Sequence, residues 1–200
     1  FKQGRTSYAQ NTVMDLVKDG LETPFIVDVL EENGISNIST SGARIITSLD
    51  KDLQERTLRS LRRQLSQLDV RLRGYKRDEI QKEYQAMEYW GDEDVTPGNF
   101  LFGTVSSLGG GRDQGPVVQV SLQEGRVQAV LAGEGFDRLA DAYAKYSRNA
   151  GKATMADRQA LAKQLQVGDR IYVSVRTIEA NGGITLDLEK YPQVEGGAYV

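Results

Sequence analysis

The sequence predicts an α+β chain: a charged helical first half, then a compact unit of five short strands interrupted by a pair of helices. Three observations predict it. From Lys51 to Tyr89 apolar residues recur at intervals of three and four within a charged stretch, the period of an amphipathic helix. From Phe100 onward, β-branched runs are separated by turn residues, the pattern of short strands. Between the two lies the clearest boundary, residues 91–98, where three consecutive acids precede the turn signal Thr96-Pro97-Gly98.

Residues 1–49 form the first region. A weak amphipathic helix runs through Val13, Leu16 and Val17, and Thr23-Pro24 starts a second through Phe25, Val29 and Leu30 that Gly34 stops. After the polar run 36–41, Gly42 opens Ala43-Arg44-Ile45-Ile46-Thr47-Ser48, whose β-branched residues predict a strand, and Asp50 is placed as the next helix's N-cap. Residues 50–96 are the charged helical region. Leu58, Leu61, Leu65, Leu68 and Leu72 lie along one side of a helix, a run too short for a sustained coiled coil, so the stripe is expected to pack within the parent protein. The interleaved Arg56, Arg59, Arg62, Arg63, Arg71 and Arg73 read as a solvated face, and Gly74 as a turn before a second helix over 78–89.

Residues 97–191 supply the strands. Strand one is expected over 100–107, with Gly103 marking a bulge or bend, and strands two and three over 117–122 and 126–131, joined at Glu124-Gly125. Phe136, Leu139, Ala140, Tyr143 and Ala144 share a helix face, and Thr154 with Asp157 has the pattern of a capped start ahead of Leu161 and Leu165. Strands four and five, 171–176 and 184–189, alternate cleanly on either side of Asn181-Gly182-Gly183, which predicts one buried and one wet face. Three strands, a helical connection and two more strands is the order of the five-stranded Greek-key barrel called the OB-fold. Closing the sheet hides its edges, which lets roughly 95 residues with few large aromatics fold alone.

Composition narrows the chemistry. The 200 residues contain no His and no Cys, which removes imidazole bases, thiolate nucleophiles, disulfides and cysteine zinc sites. Lys+Arg number 25 and Asp+Glu 28, a net charge of -3 that lacks the basic surplus of a dedicated nucleic-acid binder. No run approaches the length of a membrane span, and Phe1-Lys2-Gln3-Gly4-Arg5 does not open a signal peptide; a chain starting at Phe is expected to be cut from a longer one.

The motifs carry little catalysis. Gly109-Gly110-Gly111 has no following Lys-Ser/Thr and reads as a hairpin loop; Asp92-Glu93-Asp94 lacks the spaced oxygens of a Ca²⁺ loop and reads as a solvated linker. Ser48-Leu49-Asp50-Lys51 fits the S-x-x-K of penicillin-recognising serine enzymes, in which the lysine helps activate the serine, but no S-D-N and no K-T-G accompanies it. Phe102-Gly103-Thr104-Val105 and Gly168-Asp169-Arg170-Ile171-Tyr172-Val173 look like the ribosomal S1-type RNA-binding barrel, the alternative reading: a single-stranded nucleic-acid-binding module. Against it, residues 116–133 include no aromatic on which a base could stack, and residues 97–191 carry 11 Lys+Arg against 10 Asp+Glu. No nucleic acid is expected as a partner, and no catalytic, cofactor-binding or metal-binding residue is assigned.

Gly42-Ala43-Arg44-Ile45-Ile46-Thr47-Ser48-Leu49-Asp50, followed by Leu53-Gln54, resembles the strand-into-helix segment that follows the glycosyltransferase domain in class A penicillin-binding proteins, the bifunctional peptidoglycan synthases. Val167-Gly168-Asp169, the strand to Val175, then Leu186, Pro192, Val194-Glu195-Gly196-Gly197-Ala198 and Val200 are similar to the closing strands of that family's OB-like insert, running into its transpeptidase domain. Ser48 stands where the family usually has Thr, in the linker strand, so the resemblance gives it no nucleophilic role. The resemblance implies a soluble, noncatalytic fragment of a membrane-anchored cell-wall synthase on the periplasmic side of the bacterial inner membrane. It divides the chain into linker helices and strand (1–49), charged helices (50–96), OB-like barrel (97–191) and the start of a transpeptidase domain (192–200). Its implied partners are the parent's catalytic domains and an outer-membrane lipoprotein activator or another envelope protein. Docking would use residues 106–116 and 134–167. The strands over 43–48 and 197–200 are expected to pair with each other, to pair across chains, or to stay exposed.

Overall fold

The structure, a computed structural model, describes residues 8–42, 44–46, 48, 50–110 and 115–193. Contacts divide the chain into two compact units, the first running to Leu58 and the second beginning at Arg59. In the first, α1 (Tyr8–Leu21) and α2 (Pro24–Glu32) occupy the two expected helical segments; Pro24 sits in the opening turn of α2, where its missing N–H leaves no bond unmade. After α3 (Ile38–Ser41), the Asp50 carboxylate accepts the Leu53 N–H at 2.9 Å and starts α4 (Lys51–Arg73), the expected cap. The strand expected over 43–48 is not formed in its described part. Arg44, Ile45 and Ile46 are irregular, and Ile46 is 80% exposed. β-Branching favours a strand only where a neighbour takes its N–H and C=O groups, and none of the described residues does so here. Residues 43, 47 and 197–200 lie outside the described residues.

The second unit holds a closed barrel of β1 (Phe100–Gly109), β2 (Val117–Leu122), β3 (Val127–Ala132), β4 (Arg170–Ile178) and β5 (Ile184–Glu189) in the order β1-β2-β3-β5-β4. Neighbours are antiparallel except β3 and β5. A further helix, α5 (Arg77–Gln85), precedes β1, and α6 (Asp137–Arg148) with α7 (Met155–Ala162) connects β3 to β4. The chain is α+β, with an OB-type barrel. Register places Leu101, Val105, Val118, Val120, Leu122, Ala129, Leu131, Ile171, Val173, Val175, Leu186 and Leu188 inside, each at most 3% exposed. Gly103 joins them and is not the bulge: a Cβ there would lie 2.6 Å from Val120 Cγ1 and 2.7 Å from Leu122 Cδ2, so its bareness lets the strands curl. The bulges fall between Val105 and Ser107 and between Val175 and Thr177.

The wet face expected on strands four and five is dry. Tyr172, Ser174, Asp187 and Glu189 are 0–4% exposed, as are Phe100 and Phe102 beside them on β1. The second half of α4 and α5 cover this outer face. Tyr84 of α5 meets Phe102 edge-on at 5.0 Å, and Tyr89 and Tyr191 close around the same ring at 6.3 and 5.9 Å. The leucine stripe is not the side of α4 that meets the barrel. Arg62, Ser66, Asp69 and Val70 are, whereas Leu68 and Leu72 are 39% and 63% exposed. A strand's period reports how its side chains alternate, not whether a second layer covers the polar set.

The connection between β3 and β4 is stiff. Thr154 accepts the Asp157 N–H, and the Asp157 carboxylate accepts the Thr154 N–H at 2.6 Å, the capping box expected at the start of α7. Arg148 reaches the same carboxylate with two donors, which with the Thr154 N–H holds Asp157 well below the usual carboxylate range. Thr154→Ala is expected to cost about 1 kcal/mol. Urea unfolding should show a lower midpoint at unchanged slope.

Candidate functional site

The chemical motifs do not converge. Ser48 is exposed, and the Lys51 ammonium points to Glu55 at 3.9 Å with 82% of its side chain in solvent, so the S-x-x-K pair has neither a pocket nor a shared proton path. Among the described residues, no group of three His, Cys, Asp or Glu could hold a metal ion, and no helix is long and apolar enough to cross a membrane. A groove along α5 is lined by Arg77, Gln81, Lys82 and Val167, but its strongest cation is engaged: Arg77 donates to both oxygens of Asp169 at 2.7–3.1 Å.

The most elaborate polar assembly seals the helices to the barrel. Arg170, at the start of β4, donates to the carbonyls of Tyr84, Met87 (2.9 Å) and Tyr89 (2.5 Å), in and just after α5; the Tyr84 carbonyl also accepts the Met87 N–H at 3.3 Å. Its guanidinium lies between the rings of Trp90 and Phe102, 4.1 and 4.2 Å from their centroids. Gln81 adds a reciprocal pair with the Arg170 backbone, at 2.9 and 3.0 Å. On α4, Arg62 bonds both Asp92 oxygens at 3.0 and 3.1 Å, while Asp92 accepts the Phe100 N–H at 2.8 Å and returns its own N–H to the Phe100 carbonyl. Arg59 donates to Asn99 at 3.2 Å. Arg59 and Arg62 are therefore not solvated, and Asp92 is fastened to β1 while Glu93 and Asp94 remain exposed.

Beside this seam the chain leaves β5. Lys190 and Asp69 form an ion pair with side chains 3% and 0% exposed, the Lys190 N–H donates to Ser66 Oγ at 2.9 Å, the Tyr191 N–H to the Tyr84 hydroxyl at 2.9 Å, and the Gln193 N–H to Asp69 at 2.6 Å. Asp187 faces Arg138 and Arg176, yet burial raises its pKa. Glu189, wholly buried, is pushed up to about 7 by the same cause. Burial also raises Tyr84 and Tyr172. Of these groups only Tyr172 falls in a motif that the sequence marks, because the alternation of β5 assigns Asp187 and Glu189 to water. The available signal was the density of arginines on α4 facing a strand with two acids.

The two expected docking segments differ. In the first, β1 extends to Gly109, and residues 111–114 lie outside the described residues. The second is anchored at Gly135, where a Cβ would lie 2.3 Å from the Leu186 carbonyl, and by the buried Phe136, Leu139, Ala140, Ala142 and Ala144. Arg158–Asp137 and Lys152–Asp141 pairs at 2.7 and 2.8 Å tie α6 to α7 and the loop between them, and Tyr146 stays 43% exposed at the surface. No known family model matches the chain, and no curated protein does.

Proposed function

We propose that this chain is the noncatalytic linker and OB-like docking module of a bifunctional peptidoglycan synthase, the glycosyltransferase and penicillin-binding transpeptidase of cell-wall biogenesis. The observation that carries the reading is the covered barrel face. Phe102, Arg170 and Tyr172, the residues behind the likeness to an RNA-binding barrel, are engaged by α5 and by one another, so these three offer no open aromatic stack to a base. The resemblance of 42–58 and 168–200 to the synthase segments supplies the family. The path of the chain agrees with an inserted module: the second unit begins along α4, and residues 190–193 leave beside Ser66 and Asp69 of that helix. Docking on such a module acts by favouring one arrangement of the domains that carry it. The partners are those catalytic domains and an outer-membrane lipoprotein activator or other envelope protein, on the periplasmic side of the inner membrane.

Two measurements test this. Fluorescence polarisation with a labelled single-stranded RNA at low salt is expected to show no saturable binding; salt-sensitive binding would transfer the reading to the nucleic-acid module. In the parent synthase, Lys145→Glu with Ser147→Glu, both exposed in the last turn of α6, is expected to leave both basal rates intact and to abolish stimulation by the purified lipoprotein. Unchanged stimulation would remove α6 from the docking surface.

A further inference from the structure

Glu189 ends β5 with its side chain fully buried. Oε1 accepts the Ser174 hydroxyl at 3.0 Å, the Ser66 hydroxyl of α4 also favours the ionised form, and Oε2 is buried with no hydrogen bond of ordinary geometry. Polar and charged groups surround it on every packed element: Ser66 of α4, with Arg63 and Asp69 one turn to either side; Tyr172, Ser174 and Arg176 of β4; Asp187 of β5 and Lys190 just after it; and Arg138 of α6. The cations among them face other acids. Arg138 and Arg176 face Asp187, to which Arg63 also lends its charge, and Lys190 is paired with Asp69. The carboxyl therefore sits at the junction of helix and barrel without a cation of its own.

We propose that Glu189 is a proton-controlled latch: with its carboxyl neutral, α4 and residues 190–193 stay seated on the barrel, and with it ionised that seam opens locally while the barrel interior stays closed. An anion formed at this site has only the neutral Ser174 and Ser66 hydroxyls to meet it, less than burial costs it, and is drawn toward water. Water reaches it most cheaply along the irregular segment that leaves β5, where Lys190, Tyr191 and Gln193 donate to Ser66, Tyr84 and Asp69 beside the Lys190–Asp69 pair, and not through the ladders of β4 and β5.

The sign follows from the environment. Burial raises the carboxyl to about 7, so between the ordinary glutamate range and neutrality an opened seam releases a proton that the closed seam keeps. Below that interval both forms are protonated and the latch is fully set; above it both are ionised and the bias toward opening is complete.

Amide hydrogen exchange on the folded chain tests this. After correction for intrinsic rates, the opening constant at Lys190, Tyr191 and Gln193 is expected to rise about thirtyfold between roughly pH 5.5 and 8.5, while the amides of Val173 and Leu188 hold their protection. In Glu189→Gln the three seam amides should lose that dependence. The proposal is overturned if Glu189→Gln keeps the wild-type pH profile, or if Val173 and Leu188 loosen in step with the seam. Should the variant not fold, the carboxyl ¹³C titration of Glu189 in the wild type decides alone: a midpoint near neutrality supports the latch, and one in the ordinary glutamate range overturns it.

Discussion

Replacing Arg170 with lysine is expected to destabilise the second unit by about 3 kcal/mol, although charge and approximate length are kept. The planar fork serves three carbonyls at once, those of Tyr84, Met87 and Tyr89. An ammonium on a flexible stem satisfies about one of them in that geometry and the Tyr84 carbonyl keeps the Met87 N–H, so one carbonyl is left without a donor, at roughly 1–3 kcal/mol. The sandwich between Trp90 and Phe102 is lost as well, about 1 kcal/mol or more for a desolvated guanidinium. Thermal unfolding should report a midpoint lower by roughly 10 °C, with exchange protection lost first at the end of α5. A loss below about 1 kcal/mol would mean that the carbonyls find other donors and that Arg170 does not hold α5 in place.

The barrel was legible in the sequence because closure is a local matter repeated five times. Each strand announced itself by β-branched residues between turn signals, and the helical connection by the Thr154 and Asp157 cap, which the structure forms as expected. The outer layer was not legible in the same way. Alternation in Ile184-Thr185-Leu186-Asp187-Leu188-Glu189 fixes which side chains share a face, but only tertiary contact decides that α4 and α5 cover the polar set. The same omission misassigned Arg59 and Arg62 of α4, whereas Arg56, Arg71 and Arg73 are exposed as expected. Charge on a helix reads as solvated until a strand bearing acids, or a half-buried Asp92, is known to lie opposite. Conversely, Ile45 and Ile46 show a strand pattern without a strand, since pairing requires a second chain segment that their own residues do not specify. The functional reading divides along this line: the resemblance rests on short segments at either end, whereas the surface available to a partner is set by which faces the fold itself covers.

Removing one partner of the buried pair Asp69–Lys190 should cost about 3–5 kcal/mol, because the survivor is left as an uncompensated charge where water does not reach. The two single variants are not equivalent. Lys190→Met leaves Asp69 with the Gln193 N–H and the Arg73 guanidinium 3.8 Å away, so part of its charge remains balanced. Asp69→Leu removes the acceptor for both Lys190 and Gln193, strands the ammonium, and detaches the chain just after β5 from α4. Asp69→Leu is therefore expected to be the worse of the two. The double variant should recover most of the loss, since two apolar side chains of similar volume need no partner, and a coupling of about 2 kcal/mol or more is expected from the cycle. Urea unfolding of the four proteins supplies the numbers. Additive losses would show that the two side chains act independently, and that Ser66, Tyr84 and the leaving segment hold α4 to the barrel without the ion pair.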